Sequence, residues 1–360
     1  MSVNRRSFLS RSSLAAATIL GVPNIVPSAE AAALRPGRRP RHIIQMVSDG
    51  MSMGTLTAAD HFSQLLRGRG LTWLHLYQQP GVASAWMNMR SLNSIVTDSS
   101  AASSSWGCGS RIVNGAINVF PDGRELLPLY TVLGQAGWKR GLVTTTEITH
   151  ATPAGFAASG LNRDAGDVIA DQYFARKIDL LLGGGKKFFN PKERKDTRDL
   201  LAEFQQAGYV VMDTLAELQQ APLDKPWLGT FSSSHLPFTL DHISDAKLIG
   251  KVPTLATLTR YALKKLERES HFILQVEGGR VDHACHSCDA AAALHDQIAF
   301  DEAIDVCLEF QRRMPETLVV ITTDHGNGNP GINGTGDKYA ESPTRFRNLQ
   351  QIRHSFGEIL

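Results

Sequence analysis

Continuous apolar segments recur along the chain and alternate with segments in which apolar residues return at helical spacing. Several of the continuous segments contain no regularly placed polar residues, which is typical of strands that helices cover on both faces. Strands and helices that alternate along a chain form a parallel sheet. The sequence therefore predicts an α/β fold with a central, mostly parallel sheet flanked by helices. The predicted strands are residues 43–47, 82–87, 140–145, 178–182, 209–212, 272–276 and 318–322.

Acidic residues, histidines and threonines follow four of these predicted strands. Asp49 comes after the first strand, the segment 147–152 after the third, Glu277 after the sixth and Asp324 after the last. Because the carboxyl ends of parallel strands meet at one edge of an open α/β sheet, where ligands bind, we expect these side chains to meet there. Buried charges are costly unless they are paired or metal-bound. Carboxylates and imidazoles bind zinc, and threonine or glutamate oxygens suit magnesium, so the pattern indicates a cluster of divalent metals.

A serine-rich segment, residues 97–105, contains a candidate nucleophile. Ser99 lies where polar residues lead into small residues that could begin a helix, and a helix start offers unpaired N–H groups to a phosphate. Taken alone, Ser99 is better explained as a helix cap or as a residue of a solvated loop than as a nucleophile. Beside metal ligands, however, its hydroxyl could ionise and attack a phosphate ester. The combination therefore favours phosphate-ester chemistry.

Composition and charge limit the class of protein. The 360 residues are 42% hydrophobic, which allows a sizeable core, and the formal net charge is only +2. The body of the chain has no dense basic run with interleaved aromatic residues. The sequence therefore predicts no nucleic-acid partner.

The N-terminal segment predicts export. Arg5 and Arg6 precede a mildly apolar run over residues 14–26 and small residues near Ala31, which are the parts of a twin-arginine signal. Glycine and proline interrupt the apolar run, which is shorter than the about 20 residues of a membrane span, so no permanent span is predicted. We expect the twin-arginine machinery as a partner and a periplasmic or secreted protein. The predicted divisions are a signal over 1–33, a linker over 34–40 and one domain over 41–360.

Four cysteines would meet an oxidising compartment after export, so a disulfide is allowed. Cys285 and Cys288 are the only close pair. A redox or zinc site at this pair is one interpretation, but no second Cys-x-x-Cys pair completes four ligands. A local disulfide and two unreactive thiols are the alternatives.

The motifs, taken together and in this order, resemble those of the alkaline phosphatase family. They are Asp-Gly-Met at 49–51, Val-Thr-Asp-Ser-Ser-Ala-Ala at 96–102, Thr-His-Ala-Thr-Pro at 149–153, the segment 275–286 and Thr-Asp-His-Gly at 323–326. The similarity extends from about residue 43 to about residue 325, and a set spaced in this way is highly specific. The resemblance implies an alkaline-phosphatase-like fold and a metal-dependent hydrolase of small phosphate monoesters. It leaves a homodimer open.

The resemblance also implies a role for each matching residue. Ser99 would be the nucleophile that forms a phosphoserine, Arg163 would hold two phosphate oxygens, and Asp98 would orient Arg163. Two zinc ions and one magnesium ion are implied, and the two zinc ions would flank an in-line displacement. The first zinc would be bound by Asp49, Asp324 and His325, the second by Asp282 and His286, and the magnesium by Asp49, Thr152 and Glu277 with His150 near it.

Two histidines occupy positions at which family members vary. His150 and His283 are therefore interpreted as residues that tune the metals. A role as ordinary polar residues that line a cleft explains them about as well.

The sequence departs from the family pattern near its C-terminus. The family completes the second zinc site with a histidine in a late His-Thr-Gly motif, which does not occur after His325; His354 lacks that context. The last predicted strand ends at residue 322. We therefore expect a fold that lacks its C-terminal part, either because the chain is incomplete or because it is a divergent member with an open zinc position. Two protein ligands would hold zinc more weakly than three.

Other functions of the same fold are alternatives. A sulfatase would need a cysteine or serine followed closely by proline and arginine, which the segment after Ser99 lacks. A phosphodiesterase is disfavoured because Arg163 would occupy the room of a second ester group. A catalytically impaired metal-binding fragment is the alternative that the missing ligand favours.

Overall fold

The computed structural model of the protein describes residues 39–332 and 337–359. The predicted export signal, 1–33, and residues 34–38 of the predicted linker lie outside the described residues. The chain divides into two compact units. One contains residues 39–75 and those from 86 onward, and it includes the whole sheet. The described residues of the other are 76–85, in which the N–H of Gln79 donates to the carbonyl of Leu76 and the N–H of Val82 to that of Gln79.

Among the described residues, seven strands form one sheet, and every neighbouring pair is parallel. Their order across the sheet is β4-β5-β3-β2-β6-β1-β7. Strand β6 is buried along its whole length, as expected for a strand that helices cover on both faces. The prediction of a parallel α/β fold is therefore confirmed. The strands are β1 (His42–Ser48), β2 (Lys139–Glu147), β3 (Leu180–Gly184), β4 (Val210–Met212), β5 (Trp227–Thr230), β6 (Phe272–Gly278) and β7 (Thr317–Thr322).

One predicted strand is wrong and one strand was not predicted. Residues 82–87 form no strand, and the side chain of Trp86 is 94% exposed. An apolar run without neighbouring strands gains neither hydrogen bonds nor burial, so its composition alone does not place it in the sheet. Strand β5 was missed because it has only four residues and includes Gly229. The other six predicted strands correspond to β1, β2, β3, β4, β6 and β7.

Helices connect the strands. The helices are α1 (Met53–Arg67), α2 (Thr72–Leu76), α3 (Ser99–Gly107), α4 (Leu129–Gln135), α5 (Ala151–Ala157), α6 (Gly166–Ala175), α7 (Leu200–Gln206), α8 (Leu215–Gln220), α9 (Thr239–Ser244), α10 (Ala246–Lys251), α11 (Leu255–Leu266), α12 (Arg280–His286), α13 (Ala290–Arg313), α14 (Ser342–Phe346) and α15 (Phe356–Ile359). Short 3₁₀ turns occur at Lys186–Phe188, Tyr339–Glu341 and Arg347–Gln351.

The longer helices bury the apolar faces that their sequences predict. In α11, Leu258 and Ala262 are fully buried, and Thr254 caps the first turn by accepting from the N–H of Thr257. In α13, Ala303 is fully buried, and Asp289 caps the first turn. The two helices pack against each other and against the sheet, and so help to fix the edge at which the polar residues lie.

Within residues 39–332 and 337–359, none of the helices combines the length and the apolar character that a bilayer span requires.

Candidate active site

Three buried carboxylates lie at the carboxyl ends of three adjacent strands. Asp49 follows β1, Glu277 lies near the end of β6, and Asp324 follows β7; each is fully buried. Since β1 lies between β6 and β7, the three side chains are brought to one place on the sheet edge. This is the edge at which open α/β sheets bind ligands.

The hydroxyl of Ser99 lies beside the carboxylate of Asp49. Ser99 Oγ is 3.3 Å from Asp49 Oδ1 and 3.2 Å from His325 Nε2. Asp49, Asp324 and His325 offer ligand atoms that all lie within 4.8 Å of one another. Asp324 accepts the N–H groups of Gly50 and His325 through Oδ1, while its buried Oδ2 has no hydrogen-bond partner. A buried oxygen with no hydrogen bond fits a cation ligand.

Asp49 also belongs to a second group of potential ligands. Asp49, His150 and Glu277 bring ligand atoms within 4.8 Å of one another, and Thr152 Oγ1 lies 3.3 Å from Asp49 Oδ2. The hydroxyls of Thr144 and Thr146 donate to Glu277 Oε2, whereas buried Glu277 Oε1 has no partner. The hydrogen bonds orient one oxygen of the carboxylate and leave the other for a ligand. The sequence did not single out Thr144, which lies inside β2.

The carboxylates raise one another's pKa. Burial, followed by the charges of Asp324, Asp282 and Glu277, raises the pKa of Asp49 well above its ordinary value. Burial raises the pKa of Glu277 to about 7, although the hydrogen bonds from Thr144 and Thr146 oppose this shift. Like charges at this spacing cannot all ionise without compensation. The donor set thus fits divalent cations, which would supply that compensation.

The residues predicted for the second zinc form a separate pair. His286 Nε2 is 3.3 Å from Asp282 Oδ2, and the side chain of His286 is 68% exposed. Neither residue belongs to the two groups above. Asn327, which the sequence analysis missed, donates from Nδ2 to Asp282 Oδ1 at 2.8 Å. The chain therefore brings two of the expected ligands together here.

Gly50 allows Asp282 to approach β1. It has a φ of +68°, a region that glycine adopts readily, and a Cβ at this position would overlap the Asp282 carboxylate. The Asp-Gly sequence at 49–50 thus serves both the turn after β1 and the close approach of α12.

Arg163 lies between a carboxylate and an imidazole. Its Nη1 is 3.2 Å from Asp98 Oδ2, and its Nη2 is 3.4 Å from His150 Nε2. Asp98 caps α3 by accepting from the N–H of Ala101, and it also accepts from the hydroxyl of Ser100. Burial alone would raise the pKa of Asp98, but these hydrogen bonds and the charge of Arg163 lower it below its ordinary value. Asp98 therefore stays ionised and fixes both the start of α3 and Arg163.

Two histidines, His235 and His283, and one arginine, Arg280, line the same region. The ring of His283 lies 5.5 Å from that of His150 and 4.4 Å from that of His235, and Arg280 Nη1 lies 2.9 Å from His283 Nδ1. The sequence analysis missed His235 because it follows β5, the strand that was not predicted. Arg280 was within a recognised motif but had no distinguishing spacing.

The four cysteines are all unbonded. Cys285 is buried and Cys288 is exposed, with a φ of 54°. Neither belongs to a group that could hold a metal ion. In this structure the pair consists of two free thiols, as one of the sequence-based alternatives has it.

Comparisons with known proteins agree with one another. The family profile described as "Alkaline phosphatase" matches residues 40–351. The repressible alkaline phosphatase of Saccharomyces cerevisiae is 34% identical over 318 residues, which are 80% of this chain and 55% of the yeast protein. Alkaline phosphatase 3 of Bacillus subtilis is 33% identical over 320 residues, 86% of this chain and 67% of that protein. The crystal structure of Thermus thermophilus alkaline phosphatase has a TM-score of 0.85 and 39% identity, and the match covers 90% of this chain and 67% of that one.

The lengths differ. The chain spans 55% of the yeast relative and 67% of the Bacillus relative.

Proposed function

The chain belongs to the alkaline phosphatase family, and on this premise we propose that it is a metal-dependent phosphate monoester hydrolase that acts through a phosphoserine at Ser99. The observation that carries the proposal is the position of Ser99 Oγ, 3.3 Å from Asp49 and 3.2 Å from His325. Both neighbours belong to a group that can hold a cation. A serine hydroxyl in such surroundings is positioned as a nucleophile.

We propose two zinc ions and one magnesium ion as cofactors. The buried oxygens without partners on Asp324 and Glu277 support cations at the first zinc position and the magnesium position. Asp282 and His286 would hold the second zinc. When bound, these cations supply positive charge that neutralises the carboxylates and favours an ionised hydroxyl.

Ser99 begins the reaction. Its Oγ loses its proton and attacks phosphorus while the bond from phosphorus to the ester oxygen breaks, which gives a phosphoserine and an alkoxide that takes up a proton and leaves as the alcohol. Water then loses a proton and attacks the same phosphorus, the bond to Oγ breaks, Oγ takes up a proton, and inorganic phosphate leaves. Ser99 is the first residue of α3, where free N–H groups favour the negative charge of phosphate.

Arg163 binds the phosphoryl group. Its guanidinium can donate to two non-bridging oxygens. Asp98 holds the guanidinium from the other side at 3.2 Å. Because the guanidinium is already oriented before the phosphate binds, less entropy is lost on binding.

The decisive experiment replaces the nucleophile. Ser99→Ala should remove phosphoenzyme, trapped at low pH and detected as a mass increase of one phosphoryl group, and should lower the turnover of p-nitrophenyl phosphate by at least about 10³-fold. The matched control is Ser105→Ala in the same helix, because Ser105 Oγ donates only to the Ala101 carbonyl. Unchanged turnover in Ser99→Ala would exclude the proposed mechanism.

Two competing functions are tested in the same assay. Faster hydrolysis of bis(p-nitrophenyl) phosphate than of the monoester would identify a phosphodiesterase instead. The pair Asp282–His286, which lacks a third ligand among the described residues, favours a metal-binding protein without turnover as the second candidate. Metal analysis separates it: about two zinc ions per chain support the enzyme, and one or none supports the second candidate.

Export by the twin-arginine route is a further part of the proposal. It is supported by Arg5 and Arg6 before the apolar run of residues 14–26. Changing both arginines to lysine should retain the protein in the cytoplasm of a bacterial host, whereas Arg11→Lys should not. Equal export of both variants would contradict the route.

A further inference from the structure

Arg280 is a partly enclosed cation without an acidic partner. It begins α12, and no carboxylate of the described residues lies within 4.0 Å of its guanidinium. The charges of Asp296 and Asp241 act on it from beyond this distance. A desolvated charge that has no partner is unfavourable, so the position calls for an anion.

The guanidinium has unused donors. Nη1 lies 2.9 Å from His283 Nδ1, and the group stacks 3.5 Å above the ring of Phe238. Its Nε is buried and has no hydrogen-bond partner among the described residues. A guanidinium offers five N–H groups, and only one of them is used here. The stacking on Phe238 holds the remaining donors in a fixed plane.

Two neighbouring histidines add N–H donors. Because a guanidinium can only donate, His283 Nδ1 must accept from Arg280, which leaves the hydrogen of the ring on Nε2. His235 Nδ1 accepts the N–H of Glu147 at 3.1 Å, so its hydrogen is also on Nε2. The two rings are in contact at 4.4 Å. Both histidines thus present neutral N–H donors beside Arg280.

These residues are unsuited to a metal ion of their own. The Nδ1 lone pairs of His235 and His283 are already occupied by N–H donors, and the guanidinium repels cations. The surroundings therefore oppose additional positive charge and favour an anion.

The group formed by Arg280, His235 and His283 adjoins the proposed phosphate site. The ring of His283 lies 5.5 Å from that of His150, and His150 Nε2 lies 3.4 Å from Arg163 Nη2. Two guanidiniums thus stand on either side of a row of imidazoles. An ester whose phosphate is held by Arg163 would direct a second anionic group along this row toward Arg280.

We propose that Arg280, together with His235 and His283, binds a second anionic group of the substrate, so that the favoured substrates are phosphate esters that carry another phosphate or a carboxylate. This inference rests on the proposed function, in which Ser99 and Arg163 hold the ester phosphate that reacts. Arg280 itself is a binding residue and takes no part in the bond that breaks.

The test compares matched substrates with the zinc- and magnesium-loaded protein. 3-Phosphoglycerate is compared with glycerol 3-phosphate, which has a hydroxymethyl group in place of the carboxylate, and fructose 1,6-bisphosphate with fructose 6-phosphate. We expect kcat/KM to be at least about tenfold higher for one member with two anionic groups than for its partner, as a charge-assisted pair provides. The two arms show whether carboxylate or phosphate is preferred. Equal values in both pairs would overturn the inference.

Substitution then ties the preference to Arg280. Arg280→Met should lower kcat/KM for the substrates with two anionic groups about 10- to 100-fold more than it lowers kcat/KM for p-nitrophenyl phosphate. Arg280→Lys should keep part of the preference, and His235→Phe should weaken it. The matched control is Arg313→Met, since Arg313 also lies over a phenyl ring but pairs with Glu267 at the surface. An equal loss on all substrates in Arg280→Met would show a structural role only.

A binding measurement separates this inference from the proposed function. Calorimetry compares 3-phosphonopropionate with propylphosphonate, neither of which is hydrolysed, in the loaded protein and in Arg280→Met. Tighter binding of the carboxylated ligand that Arg280→Met abolishes supports the site, even where p-nitrophenyl phosphate is not turned over and the proposed function fails. Equal binding of the two ligands contradicts it, whatever the activity.

Discussion

At the scale of single residues, hydrogen bonds give the two oxygens of the buried carboxylates of Asp324 and Glu277 different roles. Asp324 uses Oδ1 for two backbone N–H groups, and Glu277 uses Oε2 for two threonine hydroxyls. In both residues the other oxygen has no hydrogen bond. Orientation of ligands by such contacts strengthens metal binding. The environment therefore fixes which atom of each carboxylate meets a cation.

Gly50 is the first residue at which we predict a defined effect. Gly50→Ala should displace Asp282, abolish zinc binding at the Asp282–His286 pair and destabilise the protein by about 2 kcal/mol or more, because a Cβ overlaps the carboxylate and a positive φ costs strain. Thermal unfolding and zinc titration measure both effects. The control is Gly68→Ala, which has nearly the same φ of +70° and no atom within 4 Å of the added Cβ. Its cost should be about 1 kcal/mol, with zinc binding unchanged; equal effects in both variants would refute the steric explanation.

Asp296 should make stability depend on pH. Burial raises its pKa to about 7, although Arg280 and hydrogen bonds from Thr239 oppose this. The folded state then binds more protons than the unfolded state between about pH 4 and pH 7, so its contribution to stability is present at low pH and is lost as the pH rises through 7. Asp296→Asn can keep both contacts with Thr239 and should flatten this slope.

The measurement is urea unfolding of the metal-free protein at pH values from 4.5 to 8. Relative to wild type, Asp296→Asn should gain stability with rising pH, by ~3 kcal/mol at most above pH 7. A difference between the two proteins that does not change with pH would contradict the assignment to Asp296.

At the scale of elements, α3 carries the nucleophile because of its cap. Asp98 accepts from the N–H of Ala101 at the helix start and from Arg163 on its other side. Asp98→Ala should cost about 1 kcal/mol of stability through the lost cap and should also lower kcat/KM at least about tenfold through the released arginine. Thr254→Ala, which removes the cap of α11, should cost a similar amount of stability without affecting kcat/KM. Thermal unfolding and steady-state kinetics distinguish the two, and unaltered kinetics in Asp98→Ala would separate the cap from the site.

The elements also show what the sequence could predict. Strands with long apolar runs, such as β6, were predicted because burial on both faces leaves a strong signal. Strand β5 was missed because it has only four residues, includes Gly229 and gains its stability from pairing with β3 and β4. Residues 82–87 were wrongly predicted as a strand because they are apolar, although they pair with no strand of the sheet.

The candidate site follows the same rule. Asp49, Glu277 and Asp324 could be predicted because each follows a recognisable strand. His235 and Asn327 could not, since the loops that present them have no periodic pattern, and Arg280 acquires its setting only when α12 packs beside Phe238. Motif residues were visible in sequence, whereas residues that act through the tertiary neighbourhood were not.

At the scale of the whole molecule, the cation positions should fill unequally. Asp49, Asp324 and His325 supply three ligands, while Asp282 and His286 supply two. Zinc titration of the metal-free protein should therefore show two phases, with affinities that differ at least about tenfold. A free zinc concentration of 100 times the Kd of the tighter site should raise the free energy of unfolding by about 2.7 kcal/mol. His286→Ala should remove only the weaker phase, and loss of the tighter phase in that variant would contradict the division of ligands.

The position of β1 at the centre of the cation cluster has a consequence for biosynthesis. His42 pairs with Phe272 on one side and with Thr317 on the other, so the earliest strand waits for the two latest. Contacts between such distant residues form slowly, because a long loop must close, at a cost in entropy, before these contacts contribute stabilising free energy. A ribosome-bound nascent chain that has not yet emerged beyond residue 317 cannot assemble the cluster, and zinc delivered during translation would find only isolated side chains. Metallation should therefore be a post-translational event, completed within one cooperative closure of the sheet.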